Sequence, residues 1–238
     1  SRKENIQQIL MEQHSKMGAY NPYVKKDFYD FSSANHKIDE PRFYGAIYET
    51  SNRKIHVSSY GELLLKYEND ELKRNKVFIG MIFNIQFDNP YKKMKDFDIY
   101  PLRLIFNLLT DNRLNYQLTN IEVSEILYYI KQVKNKNEYN DIVDMILEFR
   151  KNSEIKTTQV LIEDATQFIK NYVSCNYLFN ILSDMNITNQ EKSGERFMMH
   201  SKVRKKPTVI TTRILKLTSN LFDFVVKYLS IVSLYEET

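Results

Sequence analysis

Several residue types are scarce in this 238-residue sequence, and each scarcity argues against a class of protein. The single cysteine, Cys175, excludes an intramolecular disulfide and a multi-cysteine zinc site, and it fits a reducing compartment. Five glycines form no glycine-rich phosphate loop, and four scattered histidines argue against a histidine-based metal site. No apolar run reaches the roughly 18 residues that cross a bilayer, and no leader segment is recognisable. We therefore expect a cytoplasmic protein without a membrane partner.

Neither sign of charge dominates the composition. The 34 basic and 30 acidic residues leave a net charge of +4 and a pI near 8.8, which permits an anionic partner but does not require one. A hydrophobic content of 42% is enough for packed cores. The length suits two or three small modules.

Two almost wholly apolar segments, Val77–Phe83 and Leu102–Leu109, form the centre around which we expect the chain to pack. Apolar residues at consecutive positions are typical of a helix that is buried on most sides. Asn89-Pro90 is expected to stop the first helix, and Pro101 suits the first position of the second. The sequence therefore predicts a helix pair joined by a loop from Asp88 to Tyr100.

Helices followed by a β-hairpin are predicted for the N-terminal part. Helical spacing and capping residues indicate three helices: one from Ile6 to Gly18, one carrying Val24, Phe28 and Phe31, and a short one after Ser32 or Ser33 that ends near Pro41 and Gly45. Alternating polarity in Tyr44–Tyr48 and Lys54–Val57 predicts the hairpin. Ser59 and Glu62 have the spacing of a capping box at the start of another helix. This order of elements is that of a winged helix-turn-helix.

The rest of the chain is predicted to be helical up to residue 185. Thr119 and Glu122 form a second capping box, and helical apolar spacing recurs in the segments Val123–Val133, Ile142–Phe149, Leu161–Tyr172 and Leu178–Met185. Asn186–Pro207 is expected to be a loop and Thr208–Leu217 a strand. Ser219 would then cap a helix over Leu221–Leu229, with Ser233–Tyr235 as a further strand.

The predicted fold class is mainly α with small β-hairpins (α+β), in which winged helix-turn-helix subdomains are joined by a helical domain. We divide the chain into a winged-helix subdomain at 1–70, a helical subdomain at 71–185, and a further winged-helix or linker subdomain at 186–238.

A metal-dependent nuclease site would need carboxylates and a lysine on neighbouring edges of a sheet. Glu71-Leu72-Lys73 and Glu154-Ile155-Lys156 have the Glu-x-Lys spacing, but neither lies in a predicted strand. Both are better explained as solvated surface. The sequence therefore assigns no catalytic residue and no metal ligand.

DNA contact is the chemistry that the predicted helix-turn-helix favours, because such folds place polar side chains of their last helix in the major groove. Asn35 and His36 would read base edges, and phosphates would be held by Lys37 and Arg42 and, at the tip of the wing, by Arg53 and Lys54. Basic pairs in predicted loops would follow the DNA backbone: Lys92 and Lys93, Lys134 and Lys136, and Arg204 and Lys205. For each residue, a solvated surface is the competing explanation.

Six stretches follow one another in a characteristic order: Tyr44–Tyr48, Lys54–Leu64, Phe78–Pro90, Ile99–Leu102, Leu118–Glu122 and Ile142–Arg150. This order resembles the recognition region of AlwI-like type IIS restriction endonucleases and their nicking relatives. The likeness covers about half of the chain, from residue 33 to residue 152. No single stretch is diagnostic of the family, and their order carries the resemblance.

The resemblance implies a modular enzyme, in which winged-helix subdomains find a short asymmetric site in double-stranded DNA and a separate Mg²⁺-dependent nuclease domain cuts at a distance. This sequence departs from that pattern at both ends. We therefore expect a recognition fragment with no cofactor of its own, whose partners are double-stranded DNA and a second nuclease subunit or domain. Three alternatives stay open: a winged-helix transcriptional regulator, a helical protein-interaction module, and a self-contained hydrolase built on Glu71 or Glu154.

Overall fold

The computed structural model describes residues 24–25, 28–29, 41–52, 54–85, 88–89, 92–93, 100–124, 126, 139–151, 179–199 and 208–234. The chain divides into two compact units, Ser1–Lys66 and Tyr67–Thr238. Both helices and small antiparallel sheets occur among the described residues. None of the helices in these ranges is long and apolar enough to cross a membrane.

The first unit begins, among the described residues, with a short hairpin where the sequence predicted a helix. Strand β1 (Val24–Lys25) pairs antiparallel with β2 (Phe28–Tyr29), with Val24 opposite Tyr29. The helix prediction for this stretch is wrong, and the β-branched and aromatic residues that carried it also favour paired strands. The predicted helices over 6–18 and after Ser32 lie outside the described residues.

A helical turn at 41–43 ends at Gly45, one of the two residues predicted to end the third helix, whereas Pro41, the other, lies within the turn. The amide of Gly45 donates to the carbonyl of Arg42 at 3.0 Å, and the amide of Ala46 donates to the carbonyl of Pro41 at 2.8 Å. Gly45 has a φ of +80°, a backbone conformation that strains residues with a Cβ. Glycine therefore closes this turn and directs the chain into the next strand.

The predicted hairpin and the helix after it are confirmed. Strand β3 (Ile47–Glu49) pairs antiparallel with β4 (Ile55–Val57), and helix α1 (Ser59–Lys66) follows. The predicted cap is one residue too late, because Ser58 rather than Ser59 accepts the free amide of Gly61 on its Oγ, at 3.1 Å. Ser58 Oγ also donates to the carbonyl of Gly45 at 2.6 Å, which ties the helix start to the hairpin.

The second unit contains the predicted central helices, and their burial is confirmed. Helix α2 (Glu71–Ile82) starts at Asp70, whose Oδ1 accepts the amide of Lys73 at 3.1 Å. Helix α3 (Pro101–Leu109) has proline in its first turn, as predicted, and is buried on most sides. Helix α2 ends well before Asn89-Pro90, so that dipeptide is not its stop signal. The connector holds a two-residue strand pair, β5 (Asp88–Asn89) with β6 (Lys92–Lys93).

A C-terminal helix packs against both central helices. The ring of Phe83 meets Phe106 of α3 edge to face, with centroids 5.0 Å apart, and meets Tyr228 of α5 (Ser219–Leu229) at 5.3 Å. Phe83 and Phe106 are completely buried. Burial of each such aromatic side chain contributes about 1.5–3 kcal/mol. The predicted helix is thus present, but its cap position is Thr218 and not Ser219.

A three-stranded antiparallel sheet of order β7-β9-β8 lies in the same unit. It is formed by β7 (Gln117–Thr119), β8 (Thr188–Met199) and β9 (Thr208–Leu217). Strand β9 confirms the prediction for that stretch, whereas the loop predicted over Asn186–Pro207 is wrong for the length of β8. The sequence of β8 is too polar to predict a strand, because the β-branched residues that stabilise the β8–β9 pair lie in β9.

The second capping box is confirmed and links the sheet to two helices. Thr119 Oγ1 accepts the amide of Glu122 at 3.1 Å, and Glu122 Oε2 accepts the amide of Thr119 at 2.8 Å. The buried carboxylate of Glu122 pairs with Arg150 of α4 (Tyr139–Lys151), whose Nε lies 2.7 Å from Oε1. Arg150 also donates to the carbonyls of Leu114 and Gln117. The helix after β7 is described for residues 120–124 and 126.

Asn120 extends the sheet beyond the end of β7. Its amide nitrogen donates to the carbonyl of Thr211 at 2.9 Å, and its amide oxygen accepts the amide of Arg213 at 3.0 Å. The side chain thereby occupies the two hydrogen-bonding positions on β9 that a longer β7 would have used. Asn120 is completely buried.

The remaining predictions concern the helices before residue 186 and the last strand, and only some of them fall on described residues. A short helix at 179–184 agrees with the spacing around Leu182, while the segment Leu161–Tyr172 lies outside the described residues. Residues 233 and 234 are not in a strand, contrary to the prediction. The carbonyl of Leu234 instead accepts the amide of Tyr100 at 3.0 Å.

Candidate nucleic-acid interface

An exposed surface on the β3–β4 hairpin is the first candidate contact region. Tyr48 and His56 lie directly opposite each other in the register, and their rings stack with centroids 5.4 Å apart and planes inclined by 19°. Tyr48, Ile55 and Val57 are 48%, 48% and 45% exposed. Accessible aromatic faces can stack on bases or sugars. Sequence reasoning did not single out this ring pair, although the strand alternation predicted here contains the signal for it.

Gly61 fixes how α1 sits against this hairpin. A Cβ at this position would lie 2.2 Å from the carbonyl oxygen of Ala46 and 2.7 Å from a methyl carbon of Val57. Only glycine therefore lets the helix approach the hairpin backbone this closely. The exposed ring pair therefore lies on a hairpin that α1 approaches closely at Gly61.

Two predicted contact residues of this unit lie within the described part of the chain. Arg42 forms an ion pair with Glu49, with 2.5 Å between Nη2 and Oε2, so binding a phosphate would require it to leave or share that carboxylate. Lys54 is exposed near the hairpin turn, where its backbone is held by bonds to Thr50 and Asn52. Lys54 is thus placed to reach a polyanion outside the molecule.

Of the other predicted contact residues, the structure describes the backbone of two. Lys92 and Lys93 form β6, where Lys93 lies opposite Asp88 and Lys92 opposite Asn89. The remaining predicted residues lie outside the described ranges: Asn35, His36, Lys37, Arg53, Lys134, Lys136, Arg204 and Lys205. The proposal that these residues bind DNA stays a prediction.

The second candidate region is the part of the β8–β9 hairpin that extends beyond β7. Strand β7 pairs only with Ile214–Lys216, whereas β8 and β9 pair up to Met199 and Thr208. We call residues 192–199 and 208–213 the β-arm. The register shifts between Lys192 and Arg196, so the β-arm contains a bulge.

Positive charge is concentrated in this stretch of sequence. The residues from Glu191 to Arg213 include seven Lys or Arg and two Glu, a net charge of +5, whereas the whole chain carries +4. Arg204 and Lys205, which the sequence analysis assigned to DNA, belong to the segment that joins the two strands. Sequence reasoning found this basic segment but missed Lys192 and Arg196, because it assigned a loop to β8, and it did not single out Arg213 of the predicted strand β9.

Arg213 stands at the base of the β-arm, opposite Lys192. Its Nη1 donates to Oδ1 of Asn180 at 2.9 Å and to Oε1 of Gln190 at 3.3 Å. Both acceptors are neutral amides, so these bonds orient the guanidinium without neutralising its charge. Two cations therefore face each other across the strands at the point where the β-arm begins.

The Glu-x-Lys sequence at Glu71 does not form a nuclease site. Glu71 is in the first turn of α2 and accepts the side-chain amide of Asn186 at 3.2 Å, while Lys73 pairs with Asp70 at 2.8 Å. A helix start does not present these groups on adjacent strands. Within the described ranges, no group of three His, Cys, Asp or Glu side chains is arranged to hold a metal ion. Glu154 and Lys156 lie outside those ranges.

Comparison with known proteins identifies relatives among restriction enzymes. The family described as "Type II restriction endonuclease HgaI, N-terminal domain" matches residues 1–231. The chain is 34% identical over 143 residues to the type II restriction enzyme HgaI of Avibacterium volantium. The aligned residues make up 58% of this chain and 29% of that relative. The resemblance to a restriction endonuclease is thus confirmed at that level, whereas its AlwI-like character stays a prediction.

Proposed function

Because the chain belongs to the family of N-terminal domains of the type II restriction endonuclease HgaI, we propose that it recognises double-stranded DNA for such an enzyme. In this proposal the nuclease domain and its Mg²⁺ lie outside the 238 residues. The observation that carries the proposal is the family match over residues 1–231 together with the concentration of basic residues in the sequence from Glu191 to Arg213. A polyanionic partner is the class that such a charge concentration attracts.

The topology of the second unit supports a DNA-binding unit with a winged-helix fold. Helix α3 precedes β7, further helices lie between β7 and β8, and the long β8–β9 hairpin closes a sheet of order β7-β9-β8. This order of elements is that of a winged helix, with the hairpin as the wing. We therefore propose a winged-helix unit here, whereas the winged helix of the N-terminal part stays a prediction, since the hairpin β1–β2 replaces one of its predicted helices.

A type IIS arrangement, with cleavage at a distance from the recognised sequence, also belongs to the proposal. The surroundings of Glu71 do not fit a two-metal centre, since its carboxylate is engaged with Asn186 and its neighbour Lys73 with Asp70. The type II restriction enzyme HgaI of Avibacterium volantium is also much longer than the stretch that aligns with this chain, which makes up 29% of it. Both observations favour a nuclease domain, or a second nuclease subunit, elsewhere.

The test is a binding experiment with a selected DNA site. Duplexes are selected from a random library with the purified chain and titrated by fluorescence anisotropy against unselected duplexes at several salt concentrations. We expect a clear preference for the selected duplex and, if about six phosphates are contacted, a slope near −5 for log affinity against log salt. Equal affinity for all duplexes, or no binding at moderate salt, would overturn the proposal.

The same preparation separates the alternatives. A transcriptional regulator would select a palindromic site and bind it as a symmetric dimer, which native mass and footprint symmetry detect. A protein-interaction module would show weak, sequence-indifferent binding that salt abolishes. Incubation of the chain alone with Mg²⁺ and the selected duplex is expected to leave the DNA intact, and cleavage would revive the self-contained hydrolase.

A further inference from the structure

We propose that the β-arm is a DNA-binding ribbon that enters the major groove of the duplex. This inference rests on the proposed function, but it assigns a surface that the family match does not specify. Three features of the β-arm carry it: its two-stranded construction, its length and its charge.

The β-arm is a two-stranded ribbon with no third strand described beside it. Strand β7 ends opposite Ile214, and the side chain of Asn120 covers only the backbone of Thr211 to Arg213. Beyond this point the pairing continues to Met199 and Thr208. Isolated two-stranded ribbons are marginally stable in water, so such an extension is best explained by a partner that orders it.

Its dimensions suit a groove of DNA. The six β9 residues of the β-arm span about 20 Å at about 3.3 Å per residue. The major groove of B-DNA, about 12 Å wide, accepts a two-stranded ribbon, whereas the minor groove, about 6 Å wide, is too narrow for one. The bulge between Lys192 and Arg196 would bend the ribbon and increase its twist, which suits a helical groove.

Charge identifies the partner as a polyanion. Lys192 is exposed and lies opposite Arg213, and Arg196 follows on the same strand opposite Thr211. The carboxylate of Glu191, next to Lys192, is engaged with Lys216 at 3.2 Å. Lys192 and Arg213, opposite each other at the start of the β-arm, are thereby placed to hold the phosphates that line a groove.

The variant Lys192→Gln/Arg196→Gln tests the assignment in the full chain. With a duplex selected by the unaltered protein, we expect affinity near 0.1 M salt to fall about tenfold or more, and the salt slope to become less steep by about 2. The control Lys151→Gln/Lys227→Gln removes the same charge from exposed ends of α4 and α5 and is expected to change affinity less than threefold. Thermal unfolding of both variants shows whether each is folded.

Dimethyl sulfate interference on the same duplex tests which groove of the DNA the β-arm enters. Methylation of guanine N7, in the major groove, should block binding of the unaltered protein but interfere less with the β-arm variant. Interference confined to adenine N3, in the minor groove, would overturn the assignment of the groove. Addition of DNA should also slow hydrogen exchange in 193–199 and 208–213.

The outcomes distinguish this inference from the proposed function. If the unaltered protein binds its selected duplex and the β-arm variant behaves like the control, the inference fails while the proposed function stands. If the unaltered protein binds no duplex, the proposed function fails and the inference fails with it.

Discussion

Buried charge shows how individual side chains organise the second unit. Arg103 of α3 is only 7% exposed, and it donates to the carbonyl of Phe83 at 2.7 Å and to that of Ser233 at 2.7 Å. It also lies over the ring of Tyr100, with 3.6 Å from Cζ to the centroid. The sequence predicted burial of α3 but did not single out Arg103. Its acceptors lie far away in the sequence, so no local pattern could reveal them.

Asp111 offers a test of electrostatics at a single residue. It accepts from Arg113 and Tyr139, with 2.6 Å and 2.9 Å to its Oδ2, and it also caps the turn Asn112–Leu114. The hydrogen bonds from Arg113 lower the pKa of the Asp111 carboxyl below its ordinary value near 3.8. Burial, followed by the bond to Asp111, raises the pKa of the Tyr139 hydroxyl.

The variant Asp111→Asn is expected to lower the free energy of unfolding by about 1–2 kcal/mol at pH 7. Because the folded pKa is depressed, the ionised form stabilises the protein above pH about 4, and this stabilisation is lost as pH falls through the folded pKa. The difference between the two proteins should therefore shrink as pH falls below about 4 in urea titrations. Asp223→Asn, on the exposed side of α5, controls for net charge. A difference that is constant with pH would contradict this account.

At the scale of elements, local patterns predicted what local interactions determine. The capping box of Thr119 and Glu122, the hairpin β3–β4 and the helices over residues 71–82 and 101–109 were found because spacing and caps lie within a few residues. Strand β7 was missed, since its three residues pair with β9 almost a hundred positions later. Strand β8 was missed for a different reason, because its polar residues form a strand only when paired with β9 in the following hairpin. Pairing with another strand overrode local propensity in both cases.

The contact between α1 and the hairpin gives a prediction for an element. Gly61→Ala would place a Cβ 2.2 Å from the carbonyl oxygen of Ala46, so either the helix or the hairpin must move. We expect a loss of about 3 kcal/mol in the local stability of this unit, measured as faster hydrogen exchange over residues 44–66. Gly45→Ala, at a φ of +80° with open space around it, should cost about 1 kcal/mol. Equal effects of the two substitutions would show that the helix does not depend on this close approach.

On the scale of the whole molecule, the described hydrophobic core belongs to one of the two units. Every fully or nearly buried hydrophobic side chain in the described ranges lies between Phe78 and Leu229. In α1, by contrast, Leu63 and Leu65 are 37% and 63% exposed. The sequence placed its central apolar pair correctly inside this core. The β-arm was harder to predict as a candidate DNA-binding site, because its basic residues indicate a shared surface only once β8 is known to be a strand.

A fragment comprising Tyr67–Thr238 is therefore expected to fold by itself. It retains the entire described core, so its thermal unfolding should stay cooperative, with a midpoint within about 5 °C of that of the full chain. Circular dichroism and calorimetry provide the measurement, and the full chain is the reference. A fragment that melts without a cooperative transition would show that the second unit needs residues 1–66.

Asn120 has a consequence for how this protein behaves at high concentration. An unprotected strand edge invites a strand from another copy of the chain, which is a common route to self-association and fibre formation. By filling both hydrogen-bonding positions at Thr211 and Arg213, the Asn120 amide blocks an intruding strand where β7 is too short to do so. The side chain of Asn120 thus helps to prevent the β8–β9 hairpin from pairing with strands of other copies of the chain.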